Sequence, residues 1–151
     1  MMQSKEMTRS DEDHGSILLS EFICEDRTSQ RHETLLGGYE VTLDTGQTFD
    51  KPGNNNDPLL ILTSGQAAII HDDNQQITTD PYPVFRGRVY GVVEALAGER
   101  YEYTMKAITK CTIFVVGREE FFGRIQRDPV MCFRLAQKLS RMNRELLLSV
   151  K

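Results

Sequence analysis

The chain changes its grammar at residue 39, and that change limits what it can fold into. From there to residue 117, short apolar runs are broken by a turn about every eight to twelve residues, and only after Gly117 does the pattern become helical. "YEVTLDTG" alternates and stops at Gly46, and "QTFDKPGNNNDP" turns at Pro52-Gly53 and carries a polar tip. "LLILTSGQAAIIHDD" reads as two apolar strands about Ser64-Gly65; "NQQITTDPYPVFRG" follows, and "YTMKAITKCTIFVVG" is a pair of strands ending at Gly117. The spacing predicts a mainly β protein: an antiparallel β-sandwich or jelly-roll barrel (double-stranded β-helix), with a short N-terminal helix and C-terminal helices.

The helical end begins with "REEFFGRIQ", one short helix, after which Asp128 caps a second. Pro129 takes the first turn of that second helix, where its missing N–H costs nothing. The amphipathic helix 129–149 sets Cys132, Leu135, Leu139, Met142 and Leu146 at spacings of 3, 4, 3 and 4. This a/d seam is two heptads long and suits the pairing of two subunits into a homodimer; a helix folded back on its own barrel is the alternative. At the other end, residues 1–27 read as a flexible N-terminal arm. Within it, "SILLSEFI" (16–23) either starts a short helix or packs as an apolar arm. A helical turn over "TSQRHETLL" (28–36), with Ser29 as cap, ends at Gly37 and Gly38 and opens the domain 28–151.

A chain of 151 residues fits one domain, large enough to bury a core without disulfides or a structural metal. Its N-terminus is polar and acidic where an export signal needs an apolar stretch. No run approaches the roughly 18 apolar residues of a membrane span, so a cytoplasmic protein with no membrane partner is expected. Cys24, Cys111 and Cys132 lack metal-ligand spacing. The charge is uneven: residues 1–35 hold four basic and eight acidic side chains, residues 118–151 eight basic and four acidic. The basic charges are spread along an amphipathic pattern, which fits a solvated helix face better than a nucleic-acid surface.

Catalytic chemistry finds little footing. A cupin-like metal enzyme needs two or three histidines and a carboxylate on one ion, whereas His14, His32 and His71 lie far apart with no His-x-His. Ser64-Gly65 is not the nucleophile elbow of hydrolases, and no Gly-x-x-x-x-Gly-Lys-Ser/Thr phosphate loop is present. No catalytic or metal-binding residue is assigned.

Gly46, Gly53, Gly65, Gly87 and Gly91 punctuate the strands, "GRVYG" (87–91) stands where Gly-Asp-Val-Phe-Gly would, and "MKAITKCTIFVVGREEFFGRIQRDPVMCFRLAQKLSRMNREL" closes the pattern. In these features the chain resembles the cyclic nucleotide-binding domain, the sensor of catabolite-activator proteins, protein kinase A regulatory subunits and gated ion channels. The resemblance runs from Tyr39 to about Leu147. It implies a phosphate cassette after Gly91, formed by Tyr90, Gly91, Val92, Val93, Glu94 and Ala95, with Tyr101, Glu102, Tyr103 and Thr104 opposite. In the family, a glutamate after the glycine holds the ribose hydroxyl, an arginine ten residues on pairs with the phosphate, and a serine or alanine follows it. Here those places hold Val92, Tyr101 and Glu102.

Val92 cannot accept the ribose proton, Tyr101 is neutral, and Glu102 is negative. Loss of two charge-assisted anchors corresponds to about two to four decades of affinity. Glu94 and Arg100 are out of register. On a strand, Tyr101, Tyr103, Met105 and Ala107 share one face, while Arg100, Glu102, Thr104 and Lys106 share the other. The resulting expectation is a non-enzymatic regulatory module without a cofactor, with high-affinity cyclic AMP or cyclic GMP binding lost. It would act through an unidentified protein partner and as a homodimer. The alternative keeps the pocket for a cyclic nucleotide or another small molecule held by Tyr101, Tyr103, Thr104 and backbone amides of 91–95. The chain stops at Lys151 with no room for a helix-turn-helix, so direct nucleic-acid binding is not expected.

Overall fold

The turn residues place the strand breaks where the sequence sets them. In the computed structural model, which describes residues 16–18, 37–71 and 82–149, the strands are β1 (Ile17–Leu18), β2 (Tyr39–Leu43), β3 (Leu59–Ser64), β4 (Ala67–His71), β5 (Tyr82–Pro83), β6 (Arg88–Tyr90), β7 (Tyr103–Ala107) and β8 (Cys111–Val116). A short helix, α1 (Val92–Ala97), lies between β6 and β7, and α2 (Arg118–Arg127) and α3 (Pro129–Ser149) close the fold. The expected helix over 28–36 lies outside the described residues.

All pairings among the described residues are antiparallel. They form a five-stranded sheet in the order β1-β6-β3-β8-β2 and a three-stranded sheet in the order β5-β4-β7. The chain crosses between the sheets after β2: Thr48 bridges Lys106, and the Phe49 amide donates to the Met105 carbonyl at 2.9 Å. This is the antiparallel sandwich the sequence predicts.

The run "LLIL" is buried on both faces because β3 lies mid-sheet with a layer on each side. Leu60 and Leu62 enter the sandwich interior with Tyr90, Tyr101, Tyr103, Met105, Ile113 and Val115. Leu59 and Ile61 pack on the opposite face with Val89, Phe114, Val116, Phe121, Met131 and Leu135, beneath the helices. Burial of each such side chain contributes about 1.5 to 3 kcal/mol.

Two terminal features sharpen the sequence reading. Of the two alternatives for this segment, residues 16–18 fit the packed apolar arm: Ile17–Leu18 is a strand, Ile17 pairs with Val89 and is fully buried, and Arg88 donates to the Ser16 hydroxyl at 2.7 Å and to its carbonyl at 3.0 Å. The N-terminal arm is therefore anchored at that point. At the other end, Asp128 accepts the Met131 amide at 3.0 Å, the expected cap of α3. Of the a/d seam, Leu135 is buried in the domain's own helix-side core, and Leu139 and Met142 pack against it. Cys132 and Leu146 are exposed, and Leu147 and Leu148 continue the exposed apolar end. Among the described residues, no helix is long and apolar enough to cross a membrane.

Candidate functional site

The cassette starts with a backbone constraint. Gly91 follows β6 at φ 100°, a conformation that side-chain-bearing residues rarely adopt. A Cβ there would lie 3.2 Å from Cε2 of Tyr101 and 3.3 Å from the Pro58 carbonyl, so the site needs glycine for space as well as for torsion. The chain then turns into α1, where the Ala95 amide donates to the Gly91 carbonyl at 2.9 Å. Gly98, also left-handed at φ 76°, ends the helix. Val92 and Ala95 are buried in the helix-side core with Phe121, Met131 and Leu135, while Val93 is half-buried. Val92, at the place of the ribose-binding glutamate, is thus a packing residue that faces the closing helices.

Opposite α1, the strand preference for alternation decides which side chains enter. Tyr101, Tyr103, Met105 and Ala107 are buried, whereas Glu102 is exposed and Thr104 half-buried. Arg100 and Glu102 face solvent, 3.9 Å apart, so neither the off-register cation nor the extra carboxylate reaches the interior. The rings of Tyr101 and Tyr103 stack at 4.7 Å and 15°. Tyr90, fully buried beside them, accepts the Phe85 amide through its hydroxyl at 3.0 Å. Where the family carries an arginine, this chain has an aromatic plug.

Three polar residues not singled out from the sequence surround that plug. Lys51, from the β2–β3 connection, donates to the carbonyls of Tyr101 at 2.8 Å and Tyr103 at 2.6 Å. Its ammonium lies 4.9 Å from the centre of the Tyr101 ring. Arg118, buried at the start of α2, donates to the carbonyls of Asp57 at 2.6 Å, Asn55 at 2.7 Å and Glu99 at 2.6 Å, tying loop, cassette exit and helix together. Asp57, fully buried, accepts the amides of Gly53 at 2.6 Å and Asn54 at 3.2 Å. Arg118 had a legible signal: a cation in the first turn of a helix opposes the helix dipole and needs another purpose. Lys51 and Asp57 had none, because a loop composition does not say where its side chains point.

The site is short of donors for its carboxylates. Glu94 Oε1 and Asp57 Oδ2 are buried with no hydrogen-bond partner among the described residues. Burial pushes the Glu94 carboxyl above its usual 4.5, against the opposing pull of a backbone hydrogen bond, Arg118 and Lys51. Burial, followed by the Glu94 charge, pushes the Tyr103 phenol well above its usual 10.0. No group of three or more His, Cys, Asp or Glu side chains able to hold a metal occurs among the described residues. Two surface cavities lie elsewhere: one of about 420 Å³ beside Gly38, Phe49 and Pro58, the other of about 570 Å³ beside Gln66, Val84 and Ile108. Neither is lined by α1, Tyr101 or Tyr103.

An antiparallel sandwich with a glycine-flanked short helix and two closing helices is the fold in which these residues sit. The model of the cyclic nucleotide-binding domain matches residues 40–128, more than half of the sequence, and the chain belongs to that family. Solved structures share the fold at low identity. The catabolite activator protein of Thermus thermophilus is 18% identical with a TM-score of 0.59, over 80% of this chain and 58% of that one. The N-terminal domain of a transcriptional regulator from Streptomyces coelicolor A3(2) is 18% identical with a TM-score of 0.61, over 82% and 86%. The sensor domain of the transcriptional regulator DNR from Pseudomonas aeruginosa is 18% identical with a TM-score of 0.56, over 73% and 78%. The match thus spans little more than half the length of the Thermus protein. No curated protein matches the chain in sequence.

Proposed function

We propose that the chain is a non-enzymatic regulatory module whose cassette does not hold cyclic AMP or cyclic GMP tightly and which works through protein contacts. The observation that carries this reading is the Tyr101 ring, buried directly against Gly91. It takes the space and the register position of the phosphate-binding arginine and offers no charge. Calorimetry with cyclic AMP and with cyclic GMP is expected to show no binding at micromolar concentrations; a micromolar dissociation constant for either would overturn the reading.

The protein contact is assigned to α3. A helix of 21 residues extends about 30 Å, and its apolar side continues past the domain core to Leu146, Leu147 and Leu148, which are 56%, 63% and 61% exposed. A second copy docking there completes the seam begun by Leu135, Leu139 and Met142. Leu146→Glu is expected to halve the sedimentation mass without lowering the melting temperature; an unchanged mass would remove this surface from consideration. Leu139 packs on the domain core, so substitution there reads stability as well as assembly.

A small-molecule sensor is the second reading, favoured by the buried acceptor Glu94 Oε1 beside the tyrosine stack. In this reading a ligand is held by Tyr101, Tyr103, Thr104 and the backbone amides of 91–95. A ligand that raises the melting temperature of the wild type but not of Tyr101→Ala would support it.

A further inference from the structure

The polar residues beneath the cassette point to an input that needs no nucleotide. α1 is a short lever with a left-handed glycine at each end, Gly91 at φ 100° and Gly98 at φ 76°. Its apolar side, Val92 and Ala95, rests on the same core as Phe121 of α2 and Met131 and Leu135 of α3. Its exit is tied to α2 by the bond from Arg118 to the Glu99 carbonyl at 2.6 Å. Its one polar side chain on the interior side is Glu94, with Oε1 buried and lacking a donor.

We propose that Glu94 and Arg118 form a proton-operated latch: a protonated Glu94 holds α1 closed, an ionised Glu94 lifts it, and Arg118 carries that movement to α2 and α3. The charged and titratable groups that act on the Glu94 carboxyl are Arg118 from α2, Lys51 from the β2–β3 connection, Glu99 after α1 and Tyr103 from β7; Tyr103 in turn neighbours Asp57, Tyr90 and Tyr101. The two cations favour the ionised form and Glu99 opposes it, but Arg118 is already bonded to three carbonyls and Lys51 to two. With both cations engaged, an ionised Oε1 is solvated by reaching water. The glycines at both ends of α1 allow that rotation, and the helix cannot leave without moving the carbonyl that Arg118 holds.

The sign follows from the raised pKa of Glu94. Its proton stabilises the closed form fully below the unfolded-state value and ceases to do so as pH rises through the higher folded-state value. The latch is closed in acid and loosens as pH rises through the raised value of Glu94. It goes beyond the proposed regulatory role and stands whether or not a ligand binds.

The test is hydrogen exchange on the full chain, wild type against Glu94→Gln, followed from acid to neutral pH at matched intrinsic rates. Glu94→Gln keeps the shape and removes the titration. The expected result is that wild-type amides of 92–99 exchange about tenfold faster than those of the variant at neutral pH, a difference of about 1.4 kcal/mol in the opening of α1. In acid the two should be alike. Equal protection of wild type and variant across the whole range overturns the trigger. Wild-type amides of 121–125, the first that are hydrogen-bonded in α2, must lose protection over the same pH range; if α1 opens while these stay protected, the coupling through Arg118 is overturned. Arg118→Lys keeps a cation but loses the three-way bonding, and is expected to leave the pH response of α1 intact while abolishing that of α2. An α2 response that persists in Arg118→Lys overturns the assigned coupler as well.

Discussion

Leu60 and Leu62 of β3 point into the sandwich, and Leu59 and Ile61, one residue away, point out beneath the helices. On the inner side Tyr90, Tyr101 and Tyr103 are buried among aliphatic side chains. The outer side keeps a mechanical connection, since Val92 and Ala95 of the cassette share one core with Phe121, Met131 and Leu135 of the closing helices. The contrast teaches that one sheet serves two separate cores: Tyr101 belongs to the inner one, while the segment after Gly91 leans on the helices of the outer one.

Substitution on each side tests that separation. The largest effects are expected from Tyr101→Ala and Phe121→Ala, each about 3 to 5 kcal/mol by chemical denaturation, because each removes a buried ring. The two should differ in hydrogen exchange: Phe121→Ala loosens α3, whereas Tyr101→Ala leaves it protected. Equal loosening by both would dissolve the distinction between the two cores. Gly91→Ala comes next, at about 1 to 3 kcal/mol, since it adds a Cβ against Tyr101 and Pro58 to an already left-handed residue. A double variant Gly91→Ala with Tyr101→Ala should recover part of that cost, and full additivity would argue that the ring is not what crowds the glycine.

The smaller effects concern the helical side and the surface. Asp128→Ala is expected to cost about 1 kcal/mol at neutral pH through loss of the α3 cap. Hydrogen bonding from the Met131 amide holds the Asp128 carboxyl below its usual 3.8, with Arg124 adding to it. That contribution is present above the unfolded-state value and is lost as pH falls through the lower folded-state value. Wild type and variant should therefore converge in acid, and a constant gap down to low pH would count against the cap as its source. Arg100→Ala should change stability by less than about 0.5 kcal/mol, because its pairing with Glu102 at 3.9 Å is in solvent. A measurable gain in cyclic nucleotide affinity or a large loss of stability from that change would mean that Arg100 turns inward in solution.

The β-strand grammar was legible because its signals are local. Alternation in "YEVTL" and "YTMKA", the breaks at Gly46, Gly65 and Gly117, and the Asp128-Pro129 helix start each depend on neighbours in the chain, and each is where the sequence puts it. The inward set Tyr101, Tyr103, Met105 and Ala107 followed from the strand period alone. Strand β1 was not legible: the apolar run Ile17-Leu18-Leu19 is too short to show a period, and the edge of β6 and the Arg88 bonds to Ser16 make Ile17–Leu18 a strand. The seam on α3 showed which residues share a face, but not what that face meets. Leu139 and Met142 found the domain's own core, while Leu146 runs beyond it.

By itself the sequence determined the strands, the glycine that sits before α1, and which side chains of the strand after it share a face, because torsion and period are properties of a residue and its neighbours. Tertiary structure alone decided that Tyr101 fills the space beneath Gly91, that Lys51 reaches two carbonyls 50 and 52 residues away, and that Arg118 ties α1 to α2. Those contacts join segments distant in the chain, and their partners are chosen by which faces of the two sheets come to lie together.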